Sequence, residues 1–305
     1  MRTEVRPLVA QASQRSGLLR AAGAALAFGT LAIFAKFAYE QGARPLPLLG
    51  VRFAFATVIL VIFNLFTGRS LKLSRARVLR LLALGGLGYG LESTLFFAAL
   101  ERAPASLVGL IFYSYPIWTN IIGLATKLES FRASTLVALL LGTAGVLSIF
   151  TIPRIDPTGA LLALASAVAV AFYYVLAQIF QRGVEPAVAA AYTAGGAALA
   201  TSAGALLAGQ GIVADALPHA LGLAVATAVA FILLYGAIAR IGSARSSIAA
   251  MLEPVTTLVL AAIFLGELLS ARVLIGATLI VATLPVLMTA ETRRTGRPAA
   301  PADAL

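Results

Sequence analysis

The feature that most constrains this chain is a series of apolar runs, each about 18 residues or longer, that recurs along nearly its whole length. A run of this length crosses a hydrocarbon core of about 30 Å as an α-helix that rises about 1.5 Å per residue. The connectors are too short to hold a soluble domain, and apolar runs without alternation exclude an outer-membrane barrel. Backbone polar groups in lipid must be satisfied within each segment, so we predict helices. The predicted spans are 18–40, 46–67, 79–100, 104–126, 133–151, 158–181, 186–208, 218–239, 246–266 and 271–289.

Composition excludes several classes of function. The chain is 60% hydrophobic and only 11% charged, whereas about a quarter of the residues are charged in ordinary soluble proteins. Cysteine is absent and the single histidine is His219, so disulfides and metal centres held by cysteine are excluded. We therefore expect no cofactor, no metal and no catalytic residue. A membrane-embedded enzyme is the less favoured alternative, because acids at metal-ligand spacing are lacking.

The basic residues indicate how the chain lies in a membrane. With ten spans and the N-terminus inside, 17 lysines and arginines fall on the inner side and 4 on the outer side. Positive residues favour cytoplasmic loops, so we predict both termini inside, in the cell inner membrane. The net charge of +11 then needs no nucleic acid, and the expected partners are the bilayer and a small-molecule substrate. We expect a monomer or weak homodimer, with a cytoplasmic tail at 1–17 and a disordered tail at 291–305.

The sequence also repeats internally. Residues 95–141 align with 233–279 at an offset of 138 without a gap, and nine of the 47 positions are identical. This indicates two halves of five spans, at 18–151 and 152–290. An odd number of spans places the halves in opposite orientation, and such inverted repeats are typical of secondary transporters. The informative identities pair Arg102 with Arg240, Pro116 with Pro254, and Glu129 with Glu267.

Two prolines occupy equivalent positions in the fourth and ninth spans. Pro116 and Pro254 each lack a backbone donor, which would free the carbonyl of Phe112 or Ala250 and weaken the helix there. We predict that both prolines are hinges of the shared architecture.

The stretches "YPIWTNIIGLATKLES" and "AAMLEPVTTLVLAAIFLGELLSARVLIGATLIVA" resemble the two EamA-type repeats of the drug/metabolite transporter superfamily. The resemblance rests on the two prolines, each followed thirteen residues later by an acid, Glu129 or Glu267. It implies an all-α membrane protein of ten helices, in which helices five and ten lie outside a central cavity lined by the other eight. It also implies transport of small metabolites, often export. Among the branches, exporters of aromatic and other amino acids, of the YddG type, are the most similar.

Four charged side chains lie well inside predicted spans: Lys36, Arg52, Glu92 and Glu253. Such a charge costs about 2.5–3.5 kcal/mol at the centre of a bilayer, so each is a functional candidate. Lys36 has an alternative explanation, because it can snorkel to the interface and pair with Glu40. Arg52 lies near the end of its span, where a structural anchor is the favoured interpretation.

The two acids have open alternatives. Glu92 lies near the middle of the third span, three residues after Tyr89, and it faces either a cavity or a buried hydrogen-bond partner. Glu253 shares one helix face with Thr256 and Thr257, which indicates either a polar stripe on a cavity or a structural tie at the adjacent proline.

Aromatic and amide side chains form a second set of candidates. They surround Pro116 and recur on the sixth span, deeper than an interfacial aromatic belt. Rings with polar tips suit a cavity for an amphipathic solute, although helix packing explains any single ring equally well. These candidates are Tyr113, Tyr115, Trp118, Asn120, Tyr174 and Gln178.

The sequence therefore favours a secondary transporter that exports small amphipathic metabolites, chiefly amino acids including aromatic ones, by alternating access. One alternative is proton-coupled efflux of cationic drugs, with Glu92 or Glu253 as the partner of the cation. A channel or scaffold is a further alternative, since channels also contain inverted repeats.

Overall fold

The computed structural model describes residues 2–150, 156–265 and 269–289, and the side chains of all of these except 2–12, 265 and 289. Every regular element in these ranges is helical, including a π-helical segment at Leu84–Gly90 and a short 3-10 turn at Ala214–Ala216. The α-helices are α1 (Arg2–Gly29), α2 (Leu31–Glu40), α3 (Pro45–Phe66), α4 (Arg75–Ala83), α5 (Leu91–Leu100), α6 (Ala105–Phe112), α7 (Tyr115–Ala125), α8 (Ala133–Ile149), α9 (Pro157–Phe180), α10 (Pro186–Leu207), α11 (Leu217–Ala249), α12 (Leu252–Leu265), α13 (Ala271–Val281) and α14 (Thr283–Thr289).

Seven helical stretches of the described chain are long and apolar enough to cross a membrane. Two more apolar helices are shorter, at Ala133–Ile149 and Leu252–Phe264. α10 has 22 residues, but its alanine, glycine and threonine content makes it the least apolar of the predicted spans. The seven long stretches are Ser13–Glu40, Pro45–Phe66, Arg75–Leu100, Ala105–Ala125, Pro157–Phe180, Ala214–Ala249 and Ala271–Met288.

Two boundaries differ from the prediction. Helix α1 begins at Arg2, so the segment predicted as a tail at 1–17 continues into the first span as helix. Helix α11 runs to Ala249, but Gly242 interrupts it with φ 79° and ψ 172°. A positive φ of this kind favours glycine, and it separates segment 243–249 from the eighth span. Segment 243–249 therefore belongs with α12 in the ninth span. The predicted tail at 291–305 lies outside the described residues.

Small residues set the closest helix contacts. A Cβ placed on Gly85, in the π-helical segment, would collide with the carbonyl of Thr193 on α10, and one on Gly196 would collide with the carbonyl of Leu82. Such contacts are typical of membrane helices, where van der Waals packing replaces a hydrophobic driving force.

Helices α8, α13 and α14 form a group of their own. α8 packs against α13 and α14, and a Cβ on Gly145 would lie 2.7 Å from the carbonyl oxygen of Gly276. The main buried core instead joins α1, α3, α9 and α11 through large side chains such as Phe53, Tyr173 and Phe231. Helices α8, α13 and α14 thus contribute little to this main core.

Candidate functional site

The fourth and ninth spans are broken at equivalent places. Helix α7 begins at Tyr115, directly before Pro116, and α12 begins at Leu252, two residues before Pro254. A two-residue turn separates each new helix from the one before it. These breaks lie at mid-span, and they decide which side chains reach the centre of the bundle.

The backbone at the second break is satisfied locally. The prediction that Pro254 leaves the carbonyl of Ala250 free is wrong, because that oxygen accepts from the backbone nitrogen of Glu253 at 3.0 Å. The chain has already left the α-helix before the proline, so a tighter i→i−3 bond replaces the missing one. This turn places Glu253 in the first turn of α12.

Packing against α1 holds Glu253 in position. The hydroxyl of Thr257 donates to the carbonyl of Gly29 at 3.1 Å. A Cβ on Gly29 would lie 3.0 Å from the carbonyl oxygen of Glu253 and 2.5 Å from the Cβ of Thr256. Because α1 has only a hydrogen atom here, α12 approaches it closely. The side chain of Glu253 remains partly exposed and interacts with the hydroxyl of Tyr113.

Arg52 supplies a cation to the same region. Its side chain is buried, and its Nε donates to the hydroxyl of Thr227 on α11 at 2.6 Å. The guanidinium lies 4.8 Å from the ring centroid of Phe53. Its Nη2 atom is buried without a hydrogen-bond partner. A buried, incompletely bonded guanidinium is costly unless an anion lies near it.

Glu92 is the second acid. It is buried on α5, and its Oε2 accepts from the hydroxyl of Ser93 at 3.0 Å. The hydroxyl of Ser166 on α9 lies 3.5 Å from its Oε1 and donates to its backbone carbonyl at 3.1 Å. The carboxylate is therefore held between α5 and α9 by hydroxyl groups.

These groups form one electrostatic unit, which we call the central cluster: Arg52, Tyr89, Glu92, Tyr113 and Glu253. Arg52 is near enough to both carboxylates and to the hydroxyl of Tyr89 for electrostatic interaction, but neither carboxylate lies within 4.0 Å of its guanidinium nitrogens. The two carboxylates also repel each other. With both acids ionised, the cluster has one more negative than positive charge. A cationic group or a proton that enters it would balance that charge.

Aromatic rings surround the cluster. The ring centroid of Tyr89 lies 5.1 Å from that of Phe231, 5.2 Å from that of Tyr173 and 5.6 Å from that of Phe53. Edge-to-face pairs of this kind stabilise packing by about 0.5–1.5 kcal/mol beyond their burial. The cluster thus lies among packed aromatic rings, an apolar surrounding with a few polar groups of the kind found at small-molecule sites.

Tyr115 and Tyr174 form an aromatic pair next to these rings, with Tyr174 packed against Tyr173. Their ring centroids are 5.6 Å apart, and both side chains are buried. The hydroxyl of Tyr115 donates to the carbonyl of Ser247, in segment 243–249, at 3.4 Å. This contact joins the fourth span to the ninth.

The remaining predicted site residues lie apart from the cluster. Trp118 donates from Nε1 to the hydroxyl of Ser114, in the turn just before its own helix. Asn120 and Gln178 line a separate cavity at the end of the bundle near Ser13, which we call the Ser13 face. Lys36 is exposed on α2, so its ammonium does not join the central cluster.

A family model describes most of the chain. The model of the EamA-like transporter family matches residues 15–151 and, a second time, residues 157–289. The chain belongs to the EamA-like transporter family. It is therefore a multi-pass membrane transporter and not an enzyme. The two successive matches also support a repeat.

The solved structures agree on the fold. One solved crystal structure of a protein superposes with a TM-score of 0.74 and 23% sequence identity, over 92% of this chain and 99% of the other. At that identity the likeness shows the fold alone. No curated protein sequence matches the chain significantly.

One of the two acids that carry the family resemblance can be located. The Oε1 atom of Glu129 lies against Gly242, where a Cβ would collide with it. Its repeat mate Glu267 lies outside the described residues. In this EamA-family chain, Glu129 therefore touches the turn between the eighth and ninth spans.

Sequence reasoning undervalued Arg52 and missed Ser166 and Thr227. Arg52 lies near a span end, where arginines usually snorkel to water, and only the packing of α3 turns it inward. Its charge inside an apolar span was the available signal. Ser166 and Thr227 carry no such signal, because lone hydroxyl residues are common in membrane helices and usually bond their own backbone.

Proposed function

We propose that this EamA-family transporter exports small amphipathic metabolites, most favourably amino acids including aromatic ones, by alternating access. The observation that carries the proposal is the central cluster, in which a buried guanidinium and two carboxylates interact electrostatically among packed aromatic rings. A zwitterion brings one carboxylate and one ammonium, and both must lose water on entering a low-dielectric site.

The charges of the cluster complement those of a zwitterion. The carboxylate of the solute would pair with Arg52, whose guanidinium geometry matches a carboxylate. Its ammonium would lie near Glu253 and Glu92, with aromatic faces as additional cation partners. An apolar or aromatic side chain would pack among the rings around Tyr89.

The broken helices support alternating access. α6 packs against α5 and α9, whereas α7, which follows it in the same span, packs against α9 and α11. α12 packs against α1, α2 and α13, while the preceding segment 243–249 bonds to Tyr115 and Gln178. Each broken span thus has two parts with different neighbours, which suits rigid parts that move about a break.

The orientation remains part of the proposal. We propose that the chain crosses the cell inner membrane ten times, as two inverted five-helix repeats. Both termini and the Ser13 face then lie on the cytoplasmic side. Cysteine placed at Ser70 and at Asp215, both exposed, should react with an impermeant thiol reagent from opposite sides of intact cells. Reaction of both from one side would contradict the ten-span arrangement.

Proteoliposomes provide the functional test. Purified protein should move radiolabelled phenylalanine and other neutral amino acids across the membrane, and should move phenethylamine and 3-phenylpropionate more slowly. These three aromatic solutes share a ring and differ in charge, so their ranking reports which charges the site requires. If proteoliposomes take up no amino acid faster than protein-free liposomes do, the proposal is excluded.

A second candidate function is proton-coupled efflux of cationic drugs. The excess of one carboxylate over the guanidinium in the central cluster favours it, because a single cation or proton would neutralise that charge. Cationic dyes would then be transported against an imposed proton gradient, and amino acids would not. Transport of phenylalanine without any dependence on the gradient would favour the facilitated amino-acid exporter.

A further inference from the structure

A second polar region lies at the Ser13 face, away from the central cluster. It is a cavity of about 500 Å³ formed between α1, α7, α8, α9 and α11, and small-molecule sites are commonly about 300–1,000 Å³. In the described part of the chain, its charged lining residues are Glu129, Arg132, Arg240 and Arg245. We call this cavity the inner vestibule.

The described charges of the vestibule are mainly positive. Among the residues whose side chains the structure describes, three guanidinium groups and one carboxylate line it. Arg245 is only 6% exposed and donates to the carbonyl of Leu287 at 2.8 Å. Arg240 is exposed and donates from Nη1 to the carbonyl of Gly236 at 2.9 Å. Hydrogen bonds to the backbone hold these two cations in place, so the positive field at the cavity is fixed in space.

The positive-inside tendency alone does not explain this arrangement. That tendency concerns loops beside the membrane, where arginine heads remain in water. Arg245 instead lies within the helix packing, where acceptors such as the carbonyl of Leu287 hold its guanidinium at the cavity wall. A cavity with several guanidinium groups is suited to binding a carboxylate, since the planar fork makes two parallel hydrogen bonds to it.

We propose that the inner vestibule captures the carboxylate of an organic solute on the cytoplasmic side, before the solute passes to the central cluster. This inference rests on the proposed function for its orientation and for the onward path. Asn120 and Gln178 line the vestibule, and Tyr115 and Tyr174 follow about one turn deeper on the same helices. The tyrosine pair thus lies between the vestibule and the cluster.

A binding measurement tests the vestibule without requiring transport. Trp118 is the single tryptophan of the chain, and it lies on α7 two residues before Asn120. Its fluorescence in purified full-length protein should change on titration with 3-phenylpropionate, and much less with phenethylamine, which has the same ring and the opposite charge. Raising the salt concentration should weaken the response, because it screens the charges of this open cavity.

Charge variants of opposite sign make the test specific. Arg240→Gln should weaken the apparent Kd for 3-phenylpropionate about fivefold, and Glu129→Gln should tighten it by a similar factor, from the Coulomb term over several ångströms in a partly solvated site. Arg132→Gln is a second weakening variant. The matched control is Arg102→Gln, since Arg102 is the repeat mate of Arg240, is exposed, and lies outside the vestibule.

An unchanged Kd in both Arg240→Gln and Glu129→Gln, or an equal loss in Arg102→Gln, overturns the vestibule. The results that would contradict the vestibule differ from those that would contradict amino-acid export. If no amino acid is transported while 3-phenylpropionate binding still follows the variant charges, the vestibule stands and the proposed function falls. If phenylalanine is transported with the same KM in wild type and Arg240→Gln, from the cytoplasmic side, the vestibule falls and the proposed function stands.

Discussion

The helices α7 and α12 begin with the same break in the backbone. Each helix begins after a two-residue turn beside a buried proline. Thr119 and Thr257 are identical repeat mates, and each hydroxyl donates to the carbonyl four residues earlier, that of Tyr115 at 2.9 Å and that of Glu253 at 3.2 Å. Hydroxyl bonds of this type favour bending of a helix.

The side chains that come just before the two prolines differ. Directly before the proline, Tyr115 stands in one half and Glu253 in the other. Tyr113 faces the acid, whereas its repeat mate Met251 is fully buried and packs against Gly142. Both halves thus contain the backbone break, but only the second half has an acid directly before its proline. Matched substitutions in the two halves can therefore separate motion from solute recognition.

The largest effect on stability is expected from removing the cation that interacts with Glu253, the acid that only the second half has before its proline. Arg52→Gln leaves the buried carboxylate of Glu92 and the partly exposed carboxylate of Glu253 without their cation, and it should lower the free energy of unfolding by about 3 kcal/mol. Thermal unfolding in detergent, followed by fluorescence, measures this loss. Adding Glu253→Gln should recover part of it, whereas adding Tyr115→Phe should not. Equal recovery by both second substitutions would show that the two halves share the electrostatic role.

Removing the charge of Glu253 should mainly affect transport. Glu253→Gln keeps the shape and should express normally, yet lower the transport efficiency for solutes with an ammonium about 100-fold, through loss of a buried charge pair. Tyr115→Phe, the matched change in the other half, should cost about threefold at most. Glu92→Gln provides the comparison with the second acid. Wild-type rates for every solute in Glu253→Gln would rule out a charge role for this residue.

The prolines should behave alike. Pro116→Ala and Pro254→Ala each allow a straighter, stiffer helix, so each variant should insert normally and transport about tenfold more slowly, with KM little changed. Initial rates in proteoliposomes and the expression level give the two readouts. Effects that differ greatly between the two prolines would contradict equivalent hinges, and wild-type rates in the double variant would remove the hinge hypothesis.

The smallest effects concern the paired threonines. Thr119→Val removes one local hydrogen bond and should change stability by about 0.5 kcal/mol. Thr257→Val should cost about 1 kcal/mol, because that hydroxyl also donates to the carbonyl of Gly29. Unfolding midpoints of the two variants test the difference. A larger loss in Thr119→Val would mean that the contact with α1 does not stabilise the second break.

The helices and the candidate residues were predictable to different extents. Hydropathy located the long apolar helices, because apolar length is a local property of the chain, although α1 begins well before the predicted first span. The offset of 138 located both breaks, because the order of residue types is repeated. The convergence of Glu92, Glu253 and Arg52 was not predictable, because three separate helices bring them together. Lys36 and Arg52 are both basic residues within about ten residues of a span end, yet one is exposed and the other is buried.

The sequence by itself determined the membrane-spanning character, the internal repeat and the family, since these follow from apolar length and from the order of residue types. Only the tertiary structure decided which polar groups share a site. The rotation of each helix about its axis depends on where small residues allow close approach, as Gly29 does for α12 and Gly85 for α10. Those contacts join residues far apart in the chain, so no local pattern encodes them, and they turn Arg52 inward and leave the vestibule open beside Gly242.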